Sequence, residues 1–227
     1  MTEAPAPAAS PLKDMDLGGY ISKAWKLVTA DLVLFVVGFL IVAAIIMGSM
    51  IVIIGPIFLA GPLMFGFVRV IQKRINGEPA ALGEIFGGFK DFSKGLVLVL
   101  LLVLIGIAVA IPLVILSFVL AFIPCLGQVV SFVLNIGVSF AVQTVLFFVW
   151  PIASLSATAP MDSIKKSIQF GLANFWPVLL LSFVTGLIGG AGMIVCGVGY
   201  FFTMPLALTI HVVAYNDYYL PKSQAAA

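Results

Sequence analysis

Residues 127–150 read GQVVSFVLNIGVSFAVQTVLFFVW. Taken in steps of four, the stretch gives Gly127, Ser131, Asn135, Ser139 and Gln143, with Thr144 beside the last. Steps of four keep roughly to one face of a helix, and the rest of the stretch is apolar. An amide or hydroxyl without a hydrogen-bond partner in hydrocarbon costs roughly 2–7 kcal/mol. The pattern therefore predicts a membrane helix whose polar line, Ser131, Asn135, Ser139 and Gln143, faces protein or water. It is a helix-packing or partner face, not a catalytic signature.

Composition places the whole chain in the same solvent. Its 227 residues are 63% hydrophobic and 9% charged, against roughly 25% charged in a soluble domain, and the mean hydropathy is +1.26. Several apolar runs reach the ~18 residues needed to cross a hydrocarbon core of roughly 30 Å. The expectation is a single membrane domain over residues 16–220 with nothing left over for a soluble catalytic domain. A formal net charge of +2 is too small to point to nucleic acid. Residues 1–15, MTEAPAPAASPLKDM, lack an apolar period and read as a disordered cytoplasmic tail, with 221–227 as a second, shorter tail. No basic region followed by a short apolar core and a small-residue cleavage site stands at the start, and the first apolar run, beginning near Leu32, is too long for a signal peptide. Thr2 and the terminal SQAAA offer neither a myristoylation glycine nor a prenylation cysteine.

One order of elements recurs along the chain, and the fold class it predicts is all-α. Leu17, Tyr20, Ile21, Ala24 and Val28 make an amphipathic surface helix with Lys23 and Lys26 on another face, and Asp31 opens a span over Leu32–Ile53. Gly55 and Pro56 turn the chain into a second span ending near Ile71. Leu82, Ile85, Phe86 and Phe89 then form a second amphipathic stripe before a span from Leu96, the turn IPCLG and the stripe helix. Met161, Ile164, Ile168, Leu172 and Phe175 begin a third unit, with spans from Trp176 and from Tyr200 around GGAGMIVCGVG. The architecture is thus a six-span bundle of three units, about 16–76, 80–157 and 158–220, each a surface helix plus a transmembrane hairpin. From Leu96 to Ile123 a helix at ~1.5 Å per residue is about 42 Å long, so it must tilt or kink, and Pro112 supplies a kink point. Pro62 and Pro205 sit inside return helices, either as tolerated kinks or as breaks around a site of the kind transporters use.

Every lysine and arginine falls on the side of the surface helices and termini, while the turns around Gly55, Gly127 and Gly192 carry no charge. The positive-inside tendency puts both termini in the cytoplasm, with the chain multi-pass in the cell (inner) membrane. Basic amphipathic helices on that side suit anionic lipid.

The chemistry on offer is sparse. His211 is the one histidine, with no Cys or carboxylate at a ligand spacing on its helix, so it reads as a hydrogen-bonded packing residue and not a metal ligand. Cys125 and Cys196 stand at outer turns, where a disulfide would staple two hairpins in an oxidising compartment; otherwise they are small buried apolar residues. Arg69 is the deepest charge, with Asp31 at similar depth as its expected ion-pair partner. No charge sits at mid-membrane, which argues against a proton- or sodium-coupled pump. No Ser-His-Asp grouping, HExxH, Walker loop or pair of acids in a span is found, so neither an enzyme nor a cofactor is expected. Gly186 and Gly190 form a GxxxG expected to pack within the chain.

The triplicate order, with FGGFKDFSKG and IQFGLANFWP ahead of their hairpins, resembles bacterial families of polytopic proteins catalogued as domains of unknown function. It is also similar to the membrane region of some glycerophosphodiester phosphodiesterases, whose catalytic domain has no counterpart here, and no functional residue carries over. The function expected is a non-enzymatic component of the membrane that binds or organises other membrane components, either a partner protein or a second copy of the chain. The alternative is a small uncoupled permease or exporter in which the same stripe lines a wet path.

Overall fold

Glycine and proline punctuate an otherwise nearly continuous run of helix. The computed structural model describes residues 15–52, 54–123, 126–194 and 197–225, and no strand occurs among them.

Helix α1 (Leu17–Ala30) starts where the Asp16 carboxylate accepts the Gly19 amide at 2.8 Å, satisfying one of the donors that a helix start leaves free. Tyr20, Ala24 and Val28 are buried while Lys23 and Lys26 face outward, as the period predicts. The chain then bends by 92° into the arm Val33–Ser49, a π-helical turn (Val33–Val37) leading into α2 (Gly38–Ser49). Asp31 fixes the corner, its carboxylate accepting the Leu34 amide at 3.2 Å.

The return helix α3 (Gly55–Ile75) carries Pro56 in its first turn, where no amide partner is lost. A 3-10 segment (Leu82–Asp91) follows and runs into α4 (Phe92–Leu120). These pieces touch backbone to backbone. A Cβ on Gly66 would stand 1.6 Å from the Ile85 carbonyl oxygen, and one on Gly88 2.0 Å from that of Pro62. Only glycine permits that approach.

The 3-10 period corrects the expected second stripe. Side chains at i and i+3 eclipse in such a helix, so Ile85 and Gly88 turn into the protein while Phe86, Phe89 and Phe92 stand exposed. Those three rings stack in a row, with centroids 6.5 and 6.4 Å apart.

The stripe helix is α5 (Leu126–Val145), and it ends earlier than expected. The chain breaks at Leu146–Phe148 and restarts as α6 (Val149–Leu155), with Pro151 in the first turn. The Val149 amide bonds Leu146 O at 3.1 Å and so abandons Val145 O. Ser167 of α7 (Pro160–Ala173) takes up that carbonyl, its Oγ donating at 2.8 Å. The buried face of α7 is accordingly Ser163, Ile164, Ser167, Phe170 and Gly171, and Met161 and Leu172, expected beside Ile164, are exposed.

Helices α8 (Phe175–Ile194) and α9 (Tyr200–Ala214) pack closely through Gly189 and Gly192. Thr203 Oγ1 donates to Gly189 O at 2.9 Å. Nothing lies within 4 Å of a Cβ built on Gly186 or Gly190, so the GxxxG pair does not make the expected contact. A second π turn (Tyr215–Tyr219) extends α9 into α10 (Leu220–Ala225).

The main core gathers Val28, Phe35, Phe67, Ile71, Ile210 and Tyr218, and a second cluster packs Phe65, Leu98, Val149 and Ile164. Most of α4 beyond Leu102, by contrast, exposes its apolar side chains. Four helical stretches are long and apolar enough to cross a membrane: Gly55–Ile75, Leu82–Leu120, Leu126–Leu155 and Phe175–Ile194. The bent pair Leu17–Ala30 and Val33–Ser49 makes a fifth if it is counted as one span. Among the described residues the molecule is thus all-helical, with four to five stretches long and apolar enough to cross a membrane.

Candidate functional site

The polar line on α5 divides into two halves with different surroundings. Nearer the α4–α5 turn, Ser131 Oγ donates to Ser117 Oγ at 2.8 Å. Asn135 Nδ2 donates to Ser117 Oγ at 3.1 Å and to Ser131 O at 2.8 Å. Ser117 went unnoticed in the sequence, although it is the one hydroxyl in the apolar run 96–123. These three side chains form a closed cluster joining α4 to α5.

The other half opens. Thr144 turns inward and donates to Phe140 O at 2.7 Å. Ser139 and Gln143 are exposed, and neither has a hydrogen-bond partner among the described residues. With Asn135 they line a cleft of about 440 Å³, walled by Gly106, Ala110, Leu113 and Val138. Gly106, Val142 and Gln143 are shared with an adjoining cavity of about 300 Å³, bounded by Leu102, Leu146, Trp150 and His211.

His211 differs from its expected role. Its ring packs on Phe147, with centroids 3.9 Å apart, and it makes no hydrogen bond among the described residues. Gln143 and His211 thus border one apolar-walled space without a partner for either. Such a space suits a body of hydrocarbon carrying a polar group that can donate or accept.

The charged groups make a separate layer. Arg74 pairs with Asp31 at 3.2 Å and Lys73 with Glu84 at 2.7 Å. Arg69 pairs with Asp91, and its Nε donates to Ser154 O at 3.1 Å. Lys23 pairs with Asp217, and Lys94 Nζ donates to Ser156 O at 2.8 Å. The expected Asp31–Arg69 pair is therefore corrected. At 3.6 residues per turn, Arg69 and Arg74 point about 140° apart around α3, and the one facing Asp31 is Arg74. These ties join α1, α3, the 3-10 segment, α6 and the last π turn.

No group of three His, Cys, Asp or Glu side chains positioned to hold a metal occurs among the described residues. Cys125 and Cys196, the expected disulfide, lie outside the described residues. No protein-family model, curated protein or solved structure matches the chain.

Proposed function

We propose that the protein is a non-enzymatic component of the cytoplasmic membrane that binds another membrane component in the cleft between α4 and α5. One observation carries this reading. Ser139, Gln143 and His211 present polar groups with no partner among the described residues to a space with apolar walls. Leaving such groups unmet in hydrocarbon is costly, whereas Ser131 and Asn135 are already met by Ser117. The occupant is a membrane-protein helix, a second copy of the chain or a lipid-like molecule.

The reading includes six crossings in three units. Besides the four long helices, Val33–Ser49 and Tyr200–Tyr219 at ~1.5 Å per residue are about 25 and 30 Å long, near the thickness of the hydrocarbon core. The right-angled bend after α1 supports a surface helix ahead of the first span. The lysines and arginines then lie on the inner side with both termini, facing anionic lipid.

Native mass spectrometry of the chain released from lipid nanodiscs tests the binding. Wild type is expected to carry a discrete second mass that the Ser139→Ala, Gln143→Leu variant loses. Identical spectra for the two would reject the site. A second reading, a permease, is favoured by the continuity of the two cavities along Gly106, Val142 and Gln143. It expects a cysteine at 135 to react with a water-soluble thiol reagent, whereas a packed interface expects protection.

A further inference from the structure

We propose that a second pocket, between α7 and the chain's last turns, binds a phosphate ester, the group that an anionic phospholipid headgroup and a soluble glycerol phosphate share. The pocket encloses about 730 Å³, within the range of about 300–1,000 Å³ usual for small-molecule sites. Lys166 and Gln169 reach it from α7, Asn174 from the end of that helix, and Lys222 and Ser223 from α10. Its lining contains both of those lysines and, among the described residues, no carboxylate.

Lys23, Arg69, Lys73, Arg74 and Lys165 each lie against an acid, whereas Lys166, like Lys26, Lys90 and Lys94, has no ion-pair partner among the described residues. Of those four, Lys166 is the one that lines this pocket, while Lys90 and Lys94 share theirs with Asp91. Lys222 is held in position over the Tyr218 ring, its Nζ 4.5 Å from the centroid. The Tyr218 hydroxyl in turn donates to Asn174 Oδ1 at 3.4 Å. Two ammonium groups and the Gln169 amide match the several acceptor oxygens of a phosphate.

The floor adds the apolar half of the recognition. Tyr215 and Tyr219 stack at 5.2 Å, and Phe170 packs on Tyr219 at 4.8 Å. A polar, basic rim above an aromatic floor suits an amphiphile better than a bare ion. Lipid as the source rests on the inner-side placement proposed above, while recognition of a soluble ester does not depend on it.

The test uses the full chain in nanodiscs of phosphatidylcholine doped with phosphatidylglycerol, read by native mass spectrometry. Wild type is expected to retain phosphatidylglycerol over phosphatidylcholine, and Lys166→Gln with Lys222→Gln to lower that retention at least tenfold. Lys165→Gln, which removes a neighbouring charge outside the pocket, leaves it unchanged. Lys166→Arg with Lys222→Arg keeps both charges and restores binding. Equal retention of the two lipids by wild type, equal retention by wild type and the Gln pair, or no restoration by the Arg pair overturns the proposal. Added glycerol 3-phosphate distinguishes the sources. Displacement of the lipid assigns the site to the soluble ester and persistence assigns it to the lipid, and both support phosphate recognition. Topology reporters on the termini test the inner-side placement separately.

Discussion

Asn135 and Gln143 stand about two helical turns apart on α5, and their amides meet different surroundings. Asn135 finds Ser117 and Ser131, so its polarity is internal. A double-mutant cycle of Ser117→Ala and Asn135→Leu, measured by unfolding in mild detergent, is expected to give a coupling of about 0.6 kcal/mol and not above ~1.7, the range for hydrogen bonds between membrane helices. A coupling of zero would break the cluster as drawn. Gln143→Leu is expected to leave stability within about 0.5 kcal/mol of wild type, because no bond among the described residues is lost. The line of residues at every fourth position was plain in the sequence. Its division was not, because Ser117 lies on another helix and the rotation of α4 about its own axis leaves no trace in a uniformly apolar run. The same ignorance of helix rotation paired Asp31 with Arg69, where the structure turns Arg74 toward Asp31 and Arg69 toward Asp91.

At the scale of elements, α3 and the 3-10 segment are bound by missing side chains. Gly66→Ala forces a methyl against the Ile85 carbonyl, where a Cβ would stand at 1.6 Å, and backbone must move to accept it. A loss of about 1–3 kcal/mol or more is expected from such overpacking. Gly137→Ala on α5 has nothing within 4 Å and is expected to gain about 0.5–1 kcal/mol through helix propensity. Thermal unfolding of the two variants in the same detergent checks both signs, and equal losses would contradict the packing described. The sequence showed the glycines of FGGFKDFSKG but not their period. Read at 3.6 residues per turn, Ile85 and Phe86 share a face; wound at three per turn they separate, and the phenyl row at 86, 89 and 92 appears. The break at Leu146–Phe148 was equally hidden, since Pro151 signals a helix start only once the Ser167 hydroxyl is known to satisfy Val145 O.

Taken whole, the molecule has two regions of different character. Ion pairs and aromatic packing tie α1, α3, α6 and α9 into a dense body, while α4 and α5 extend from it with little covering of their own. All-helical character and apolar spans were legible from composition and run length. The count of crossings was less so, because Val33–Ser49 and α9 are short and lean on irregular turns. Reporters fused at the two termini are expected to read as cytoplasmic, and an impermeant label on a cysteine at 122 to react from outside; reversal of either would invert the proposed orientation. The central claim is that the cleft beside Gln143 holds a specific membrane component. The most direct measurement is photo-crosslinking in native membranes with a benzophenone side chain placed at 143 or at 133, the latter an exposed position on α5 outside the cleft. One discrete adduct is expected from 143 and only scattered lipid products from 133. The same scattered products from both positions would contradict the claim.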